Sequence, residues 1–190
     1  MVGVILAAGA SSRLGEAKQL LVYQGQSLLE RSIRLAFSVC QDVLVCLGSE
    51  VVQSVQIVEN LKKEFPNLSY VQVIEWEKGM GETLAAGLRA VDMSRDVLVL
   101  LCDLPFLTNA HLRNLTSLAN PNRAIVASFQ GVNSPPVLIP AALRPLFSHW
   151  SGDQGLGKFW RQNPMLCEIV HFSDKFRDVD VPEDRKYWGI

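Results

Sequence analysis

Short apolar runs recur along this chain at residues 2–6, 43–47 and 97–101, with helix-patterned stretches between them. Unbroken apolarity, in place of alternation, marks a strand buried on both faces. Such strands need helices above and below, so this alternation predicts an α/β fold with a doubly wound, mostly parallel sheet. Ser27 can cap a helix whose apolar face holds Leu28, Leu29, Ile33, Ala36 and Phe37, with Glu30 completing a capping box. Further helices are predicted over 51–65, 83–91 and 108–118, and further strands over 70–74 and 168–172. A strand, turn and returning strand over 124–129, 131–133 and 137–139 supply a small antiparallel section. Short helices follow over 140–150 and 154–162, and a last one starts at Pro182, a favoured first helical position. No repeat, low-complexity stretch or linker divides the chain, so residues 1–190 read as a single domain with a substantial core.

The first run empties into Leu6-Ala7-Ala8-Gly9-Ala10-Ser11-Ser12-Arg13-Leu14-Gly15-Glu16-Ala17-Lys18. Small side chains let a phosphate chain approach the backbone, and successive N–H groups in such a turn form an anion-binding concavity. Arg13 and Lys18 add cationic donors. A Walker loop has four residues between its glycines followed by Lys and Ser/Thr, whereas five separate Gly9 from Gly15 and Glu16 follows. The dinucleotide pattern G-x-G-x-x-G is absent as well. The segment therefore reads as a different nucleotide-phosphate loop, the alternative being a Gly/Ser turn after a core strand.

In a doubly wound sheet, ligands sit outside the carboxyl ends of the strands at the topological switch point. Loop 7–18 and the Cys102-Asp103 pair after run 97–101 should therefore share a cleft. A carboxylate placed straight after five apolar residues is costly unless it meets a cation or shapes the turn before Pro105. Magnesium takes oxygen ligands and combines one or two carboxylates with substrate phosphates. Asp178, Asp180, Glu183 and Asp184 form a second acidic group, in which Asp180 is the candidate for another metal ligand and Asp178, Glu183 and Asp184 suit a helix start. Gly79, Gly81 and Thr83 precede or open a helix, where free N–H groups suit a phosphate or base; an ordinary turn with helix packing is the alternative.

A net charge of −1 supplies no global field for nucleic acid or an anionic membrane, so any phosphate binding is local. The apolar runs are too short to span a bilayer, and the N-terminus lacks the charged region of a signal peptide. Cys40, Cys46, Cys102 and Cys167 sit in apolar surroundings without C-x-x-C spacing, which suits reduced thiols in a cytoplasmic protein and disfavours zinc. His111, His149, His171 and the tryptophans 76, 150, 160 and 188 read as structural groups, and no Ser-His-Asp pattern is present.

On these motifs the chain resembles the MobA-like nucleotidyltransferases of the molybdenum cofactor cytidylyltransferase type. The L-A-A-G-x-S-x-R-x-G-x-x-K signature matches at every fixed position, and residues 102–108 match C-D-x-P-x-L-T. The late D-x-D-T-P-E-D segment carries Val181 for Thr, and G-M-G-x-S-L-x-x-G-L carries Thr83 for Ser, with Val73 where an asparagine is often found. The resemblance implies Mg²⁺ held by Asp103 and Asp180, with Lys18, Arg13 and Asp103 as catalytic groups. It implies nucleotide binding by Leu6, Ala7, Ala8, Gly9, Ala10, Ser11, Ser12, Arg13, Lys18, Gly79, Gly81 and Thr83.

Ala7-Ala8-Gly9 is similar to the CTP-using version, where guanylyl-transferring relatives show Leu-Ala-Gly-Gly. The reaction so implied moves CMP from CTP onto the terminal phosphate of a molybdopterin-type acceptor, with pyrophosphate leaving and a molybdoenzyme receiving the product. Pro136, Asp153 and Lys158 are the implied acceptor contacts, in segments where the usual H-P-V reads Pro135-Pro136-Val137 and G-D-x-G-x-R lacks its arginine. Transfer from GTP, transfer to a sugar phosphate, and a non-catalytic carrier of molybdenum cofactor remain as alternatives. Retention of Lys18, Asp103 and Asp180 together argues against the carrier, which has no need of a metal–triphosphate site.

Overall fold

A computed structural model describes residues 1–11, 14–147, 150–152, 155–174 and 178–189. In chain order its elements are β1 (Val2–Ala7), β2 (Val22–Tyr23), β3 (Gln26–Ser27), α1 (Leu28–Phe37), β4 (Asp42–Leu47), α2 (Val51–Leu61), β5 (Leu68–Gln72) and α3 (Met80–Arg89). Then come β6 (Val97–Leu101), α4 (Asn109–Ser117), β7 (Ala124–Phe129), β8 (Val132–Ile139), α5 (Leu156–Gln162), β9 (Cys167–Phe172) and α6 (Pro182–Trp188).

Seven strands form one sheet in the order β5-β4-β1-β6-β8-β7-β9, in which β8 alone runs against its neighbours. Strands β2 and β3 make a separate antiparallel ribbon. The sheet is buried on both faces, which is why its central strands are written as unbroken apolar runs. Ile5, Ala7, Val45 and Leu100 pack on one side with Leu29 and Ile33 of α1, Val58 of α2 and Leu112 of α4. Val4, Leu6, Cys46 and Val99 pack on the other with Leu84 and Leu88 of α3 and Trp160 of α5. From β1 the chain steps outward through α1, β4, α2 and β5, and α3 then carries it back to β6 on the far side of β1. The carboxyl ends of β1 and β6 therefore flank the switch point.

Local departures from the sequence reading have local causes. The Ser27 hydroxyl accepts from the Glu30 N–H at 3.1 Å, but the Glu30 carboxylate turns to Arg34 at 3.0 Å, so half of the expected capping box is replaced by an ion pair. A reciprocal box forms instead at α4. The Thr108 hydroxyl accepts from the His111 N–H (3.4 Å), and the Thr108 N–H donates to His111 Nδ1 (3.2 Å). His111 Nε2 meets Asp174 at 3.0 Å, in keeping with a structural role for this histidine. The helix expected over 140–150 is a 3₁₀ stretch, Ala141–Phe147, because Pro145 lies inside it and removes a backbone donor. That stretch delivers Arg144, which is 1% exposed, to the loop after α3. Its guanidinium donates to the carbonyls of Leu88, Val91 (2.6 Å), Asp92 and Arg95 (3.0 Å). Among the described residues, no helix is long and apolar enough to cross a membrane.

Candidate active site

At the carboxyl ends of β1 and β6 the chain leaves a cleft of about 510 Å³. One wall is the backbone and side chains of Leu6, Ala7, Ala8, Gly9, Ala10 and Ser11. Leu101, Cys102 and Asp103 form the opposite wall, and Gly79, Met80 and Thr83 bring in the start of α3.

The loop after β1 turns on Ser11, whose φ of 54° lies in the left-handed region. The Ser11 carbonyl accepts from the N–H groups of Leu14 (2.9 Å) and Gly15 (3.1 Å), and its hydroxyl accepts from the Lys18 N–H at 3.1 Å. This stapling fixes the root of the Lys18 side chain over the cleft. Farther back, the Ala8 carbonyl accepts from the Ser49 N–H (2.9 Å), and the Gln19 amide donates to the Ser49 carbonyl (3.2 Å). Gly48 lies close to Trp76 and Ala8; a Cβ there would sit 2.5 Å from Trp76 Cγ and 2.6 Å from the Ala8 carbonyl oxygen. Only glycine permits that approach.

The third contribution comes from residues 178–181. Val179 is fully buried with Leu14, Leu21 and Leu28, and its N–H donates to the Asp103 carbonyl at 3.3 Å. The Asp184 carboxylate, in the first turn of α6, accepts from the N–H groups of Asp180 and Val181, each at 3.0 Å. Asp184 thus serves as a helix-start acid. With Val179 buried between them, Asp178 and Asp180 both bring a carboxylate beside that of Asp103.

One carboxylate oxygen from each of Asp103, Asp178 and Asp180 lies within 4.8 Å of the others. Lys18 Nζ sits 3.1 Å from Asp103 Oδ2 and hydrogen-bonds Asp180 Oδ1. Burial disfavours the ammonium, but Asp103 and Asp180 together outweigh it and raise the Lys18 pKa above its ordinary value. Burial raises the Asp178 pKa, and the charges of Asp180 and Asp103 add to that against the opposing effect of Lys18. Among the described residues, Lys18 bonds two of these three carboxylates, and Asp103 Oδ1 is buried with no hydrogen-bond partner. An orphaned carboxylate oxygen within an all-oxygen donor set fits a hard divalent cation.

Of the residues singled out from sequence, Leu6, Ala7, Ala8, Gly9, Ala10, Ser11, Lys18, Gly79, Thr83, Asp103 and Asp180 all line this cleft. Gly81 does not. Its N–H donates to the Gly152 carbonyl at 2.9 Å, and a Cβ there would meet that oxygen at 2.5 Å, so it serves a close packing of α3 on loop 151–152. Pro136 is buried within β8, which α5 covers, and Lys158 is exposed on α5; neither reaches the cleft lining. Ser12, Arg13 and Asp153 lie outside the described residues. Sequence reasoning missed Gln19, Glu77 and Met80, and it assigned Trp76 to packing alone although that ring also lines the cleft. It left Asp178 as an optional helix-start acid, where the i, i+2 spacing with Asp180 was the available signal.

The description "MobA-like NTP transferase domain" fits residues 3–166. The chain is 34% identical to nicotine blue oxidoreductase of Paenarthrobacter nicotinovorans, over 95% of this chain and 91% of that protein. It is 29% identical to the purine catabolism protein PucB of Bacillus subtilis, over 97% and 93%. Identity with the molybdenum cofactor cytidylyltransferase of Escherichia coli is 25%, over 95% and 91%. Among solved structures, Rv0371c of Mycobacterium tuberculosis in complex with manganese superposes with a TM-score of 0.78 at 19% identity, covering 98% of this chain and 96% of that one. With the family description spanning most of the sheet and the first of these relatives matched nearly end to end, the chain belongs to the MobA-like NTP transferase domain family.

Proposed function

We propose that this chain is a nucleotidyltransferase that moves CMP from CTP onto the phosphate of a molybdopterin-type acceptor, releasing pyrophosphate. The observation that carries the reading is the meeting of Lys18 with Asp103, Asp178 and Asp180 at the mouth of the phosphate loop. The 25% identity with a cytidylyltransferase supports the choice of base and acceptor.

An acceptor phosphate oxygen forms a bond to the α-phosphorus while the bond to the bridging oxygen breaks, and pyrophosphate leaves in line. Positioning and charge stabilisation carry such a reaction without a protein nucleophile. The backbone of residues 8–11 cradles the phosphates, with Arg13 assigned from sequence to the β- and γ-phosphates. Lys18 Nζ stabilises charge on the α-phosphoryl group. Thr83 and the opening N–H groups of α3 face the nucleotide from the other wall. Asp103 and Asp180, with Asp178 beside them, would hold Mg²⁺, which supplies neutralisation of the developing phosphate charge. Residues 1–190 act as one catalytic domain, and four free, buried cysteines suit a cytoplasmic setting.

The 34% identity with a protein named an oxidoreductase favours a second reading, a reductase. One experiment separates the two. Pyrophosphate release is measured with CTP, GTP and ATP, with and without molybdopterin, beside two-electron reduction of nicotine blue with a reduced nicotinamide dinucleotide supplied as the donor. Turnover with CTP and molybdopterin is expected, with Asp103→Asn lowering the rate about 100- to 1000-fold. GTP preference would overturn the base assignment. Absence of pyrophosphate release with every triphosphate, with reduction of nicotine blue present, would replace the transferase reading by the reductase.

A further inference from the structure

We infer that Lys18 is an exchangeable counter-ion: it pairs with the acid cluster and leaves it for the phosphates when these bind, so that divalent cation and triphosphate bind cooperatively. The inference rests on the transferase reading for the identity of the triphosphate, but the lysine's place among the acids is independent of it.

The Lys18 ammonium bonds the same two carboxylates, Asp103 and Asp180, that present themselves for a metal. Its side chain is 14% exposed and that of Asp103 18%, so solvent screens this contact little. A second cation approaching the cluster meets a positive charge already at hydrogen-bond distance from two of its three acids. That repulsion weakens metal binding as long as the ammonium stays. The lysine is nevertheless not locked in. Its backbone is pinned through Ser11, while the charge sits at the end of a four-carbon stem, a compact donor that swaps oxygen partners readily. Ser11 and Gly9 line the same cleft, so phosphates cradled there offer Nζ a replacement for the carboxylates. Whatever draws Lys18 away vacates Asp103 Oδ2 beside the already orphaned Oδ1. Triphosphate then tightens the cation, and by linkage the cation tightens triphosphate by the same factor.

The test is titration of Mn²⁺, followed by the electron paramagnetic resonance signal of the free ion, with the full chain and no nucleotide. Lys18→Met removes the charge and keeps much of the stem. A neighbouring cation lowers the proton affinity of a carboxylate by about one to three decades, and by the same repulsion Mn²⁺ should bind Lys18→Met at least about tenfold more tightly than the unmodified chain. Lys18→Gln should do the same and guards against misfolding of one variant, which circular dichroism checks. Lys18→Arg, which keeps the charge, should not. Lys63→Met, an exposed site beyond the end of α2, controls for net charge. Adding α,β-methylene-CTP should tighten Mn²⁺ in the unmodified chain and do so much less in Lys18→Met. If folded Lys18→Met and Lys18→Gln bind Mn²⁺ no more tightly than the unmodified chain, the inference is wrong. A gain in Mn²⁺ affinity without pyrophosphate release from any triphosphate would keep the counter-ion role and remove the proposed function; release with unchanged affinity would do the reverse.

Discussion

Gly48→Ala is a sharp test of how the cleft is built, because Gly48 touches neither acid nor lysine. The added Cβ would lie 2.5 Å from Trp76 Cγ, 2.8 Å from Trp76 Cβ and 2.6 Å from the Ala8 carbonyl oxygen. Ordinary contact begins near 3.4 Å, so both neighbours must retreat by close to an ångström. The indole cannot absorb this at its flexible end, since its root is what collides. The Ala8 carbonyl cannot retreat without stretching its 2.9 Å hydrogen bond from Ser49. Overpacking of this kind costs about 1–3 kcal/mol and loss of one such bond about 1 kcal/mol more. The sum of about 2–4 kcal/mol corresponds to a fall in Tm of roughly 5–15 °C for a chain of this size. Because Ala8 lines the cleft and belongs to the proposed phosphate cradle, kcat/KM should fall further than stability suggests, about 100-fold for a displacement near 1 Å. Thermal unfolding by circular dichroism and pyrophosphate release measure the two effects. Gly155→Ala is the control: its φ is −71° and a Cβ meets nothing within 4 Å, so it should cost less than about 1 kcal/mol. A Gly48→Ala chain as stable and as active as the parent would refute the close approach of β4's end to the phosphate loop.

Two further outcomes concern charge. Arg144→Met keeps the stem but strips the carbonyls of Leu88, Val91, Asp92 and Arg95 of their shared donor. It should destabilise by about 3–5 kcal/mol in urea unfolding, and a loss below about 1 kcal/mol would contradict the capping role. For Asp178, burial and then Asp180 and Asp103 raise its folded pKa above the unfolded value. A raised carboxyl favours the fold most while protonated, below about pH 4, and that contribution is lost as pH rises through the folded value. Asp178→Asn should therefore raise Tm at pH 7 in the presence of a chelator and leave it unchanged near pH 3.5. A gain of equal size at both values would show that the effect is not electrostatic.

The sheet was legible in the chain because double-faced burial is written as unbroken apolar runs, and a run needs no partner to be recognised. Boundaries were less legible. The strand expected over 70–74 lies at Leu68–Gln72, and Ile74 is 87% exposed although it is apolar. The helix expected to begin at Thr83 begins at Met80, since Gly81 lies in its first turn and Gly79 is its N-cap. At the site, Asp103 stood out because a carboxylate after five apolar residues demands a reason. Asp178 did not, because its alignment with Asp180 depends on Val179 docking against Leu14, Leu21 and Leu28, a contact between distant parts of the chain. Trp76 shows another limit: an aromatic that packs and one that lines a cleft look alike in sequence, and this ring does both. Pro136 and Lys158 were carried by likeness of motif with no physical requirement behind them, and the cleft leaves both aside.

The docking of Val179 has a consequence for assembly of the molecule. Lys18, Asp103 and Asp180 are far apart in sequence, so the charged centre exists only when three distant segments meet. The cores on the two faces of the sheet draw on strands and helices that precede residue 173, whereas Val179 belongs to a separate small cluster with Leu14, Leu21 and Leu28. Clipping the chain before residue 178 should leave a folded sheet whose Lys18 has lost one carboxylate partner and whose Asp103 faces it without help. The charged centre thus hangs on one valine, since Val179 is the fully buried residue that anchors Asp178 and Asp180 beside Asp103.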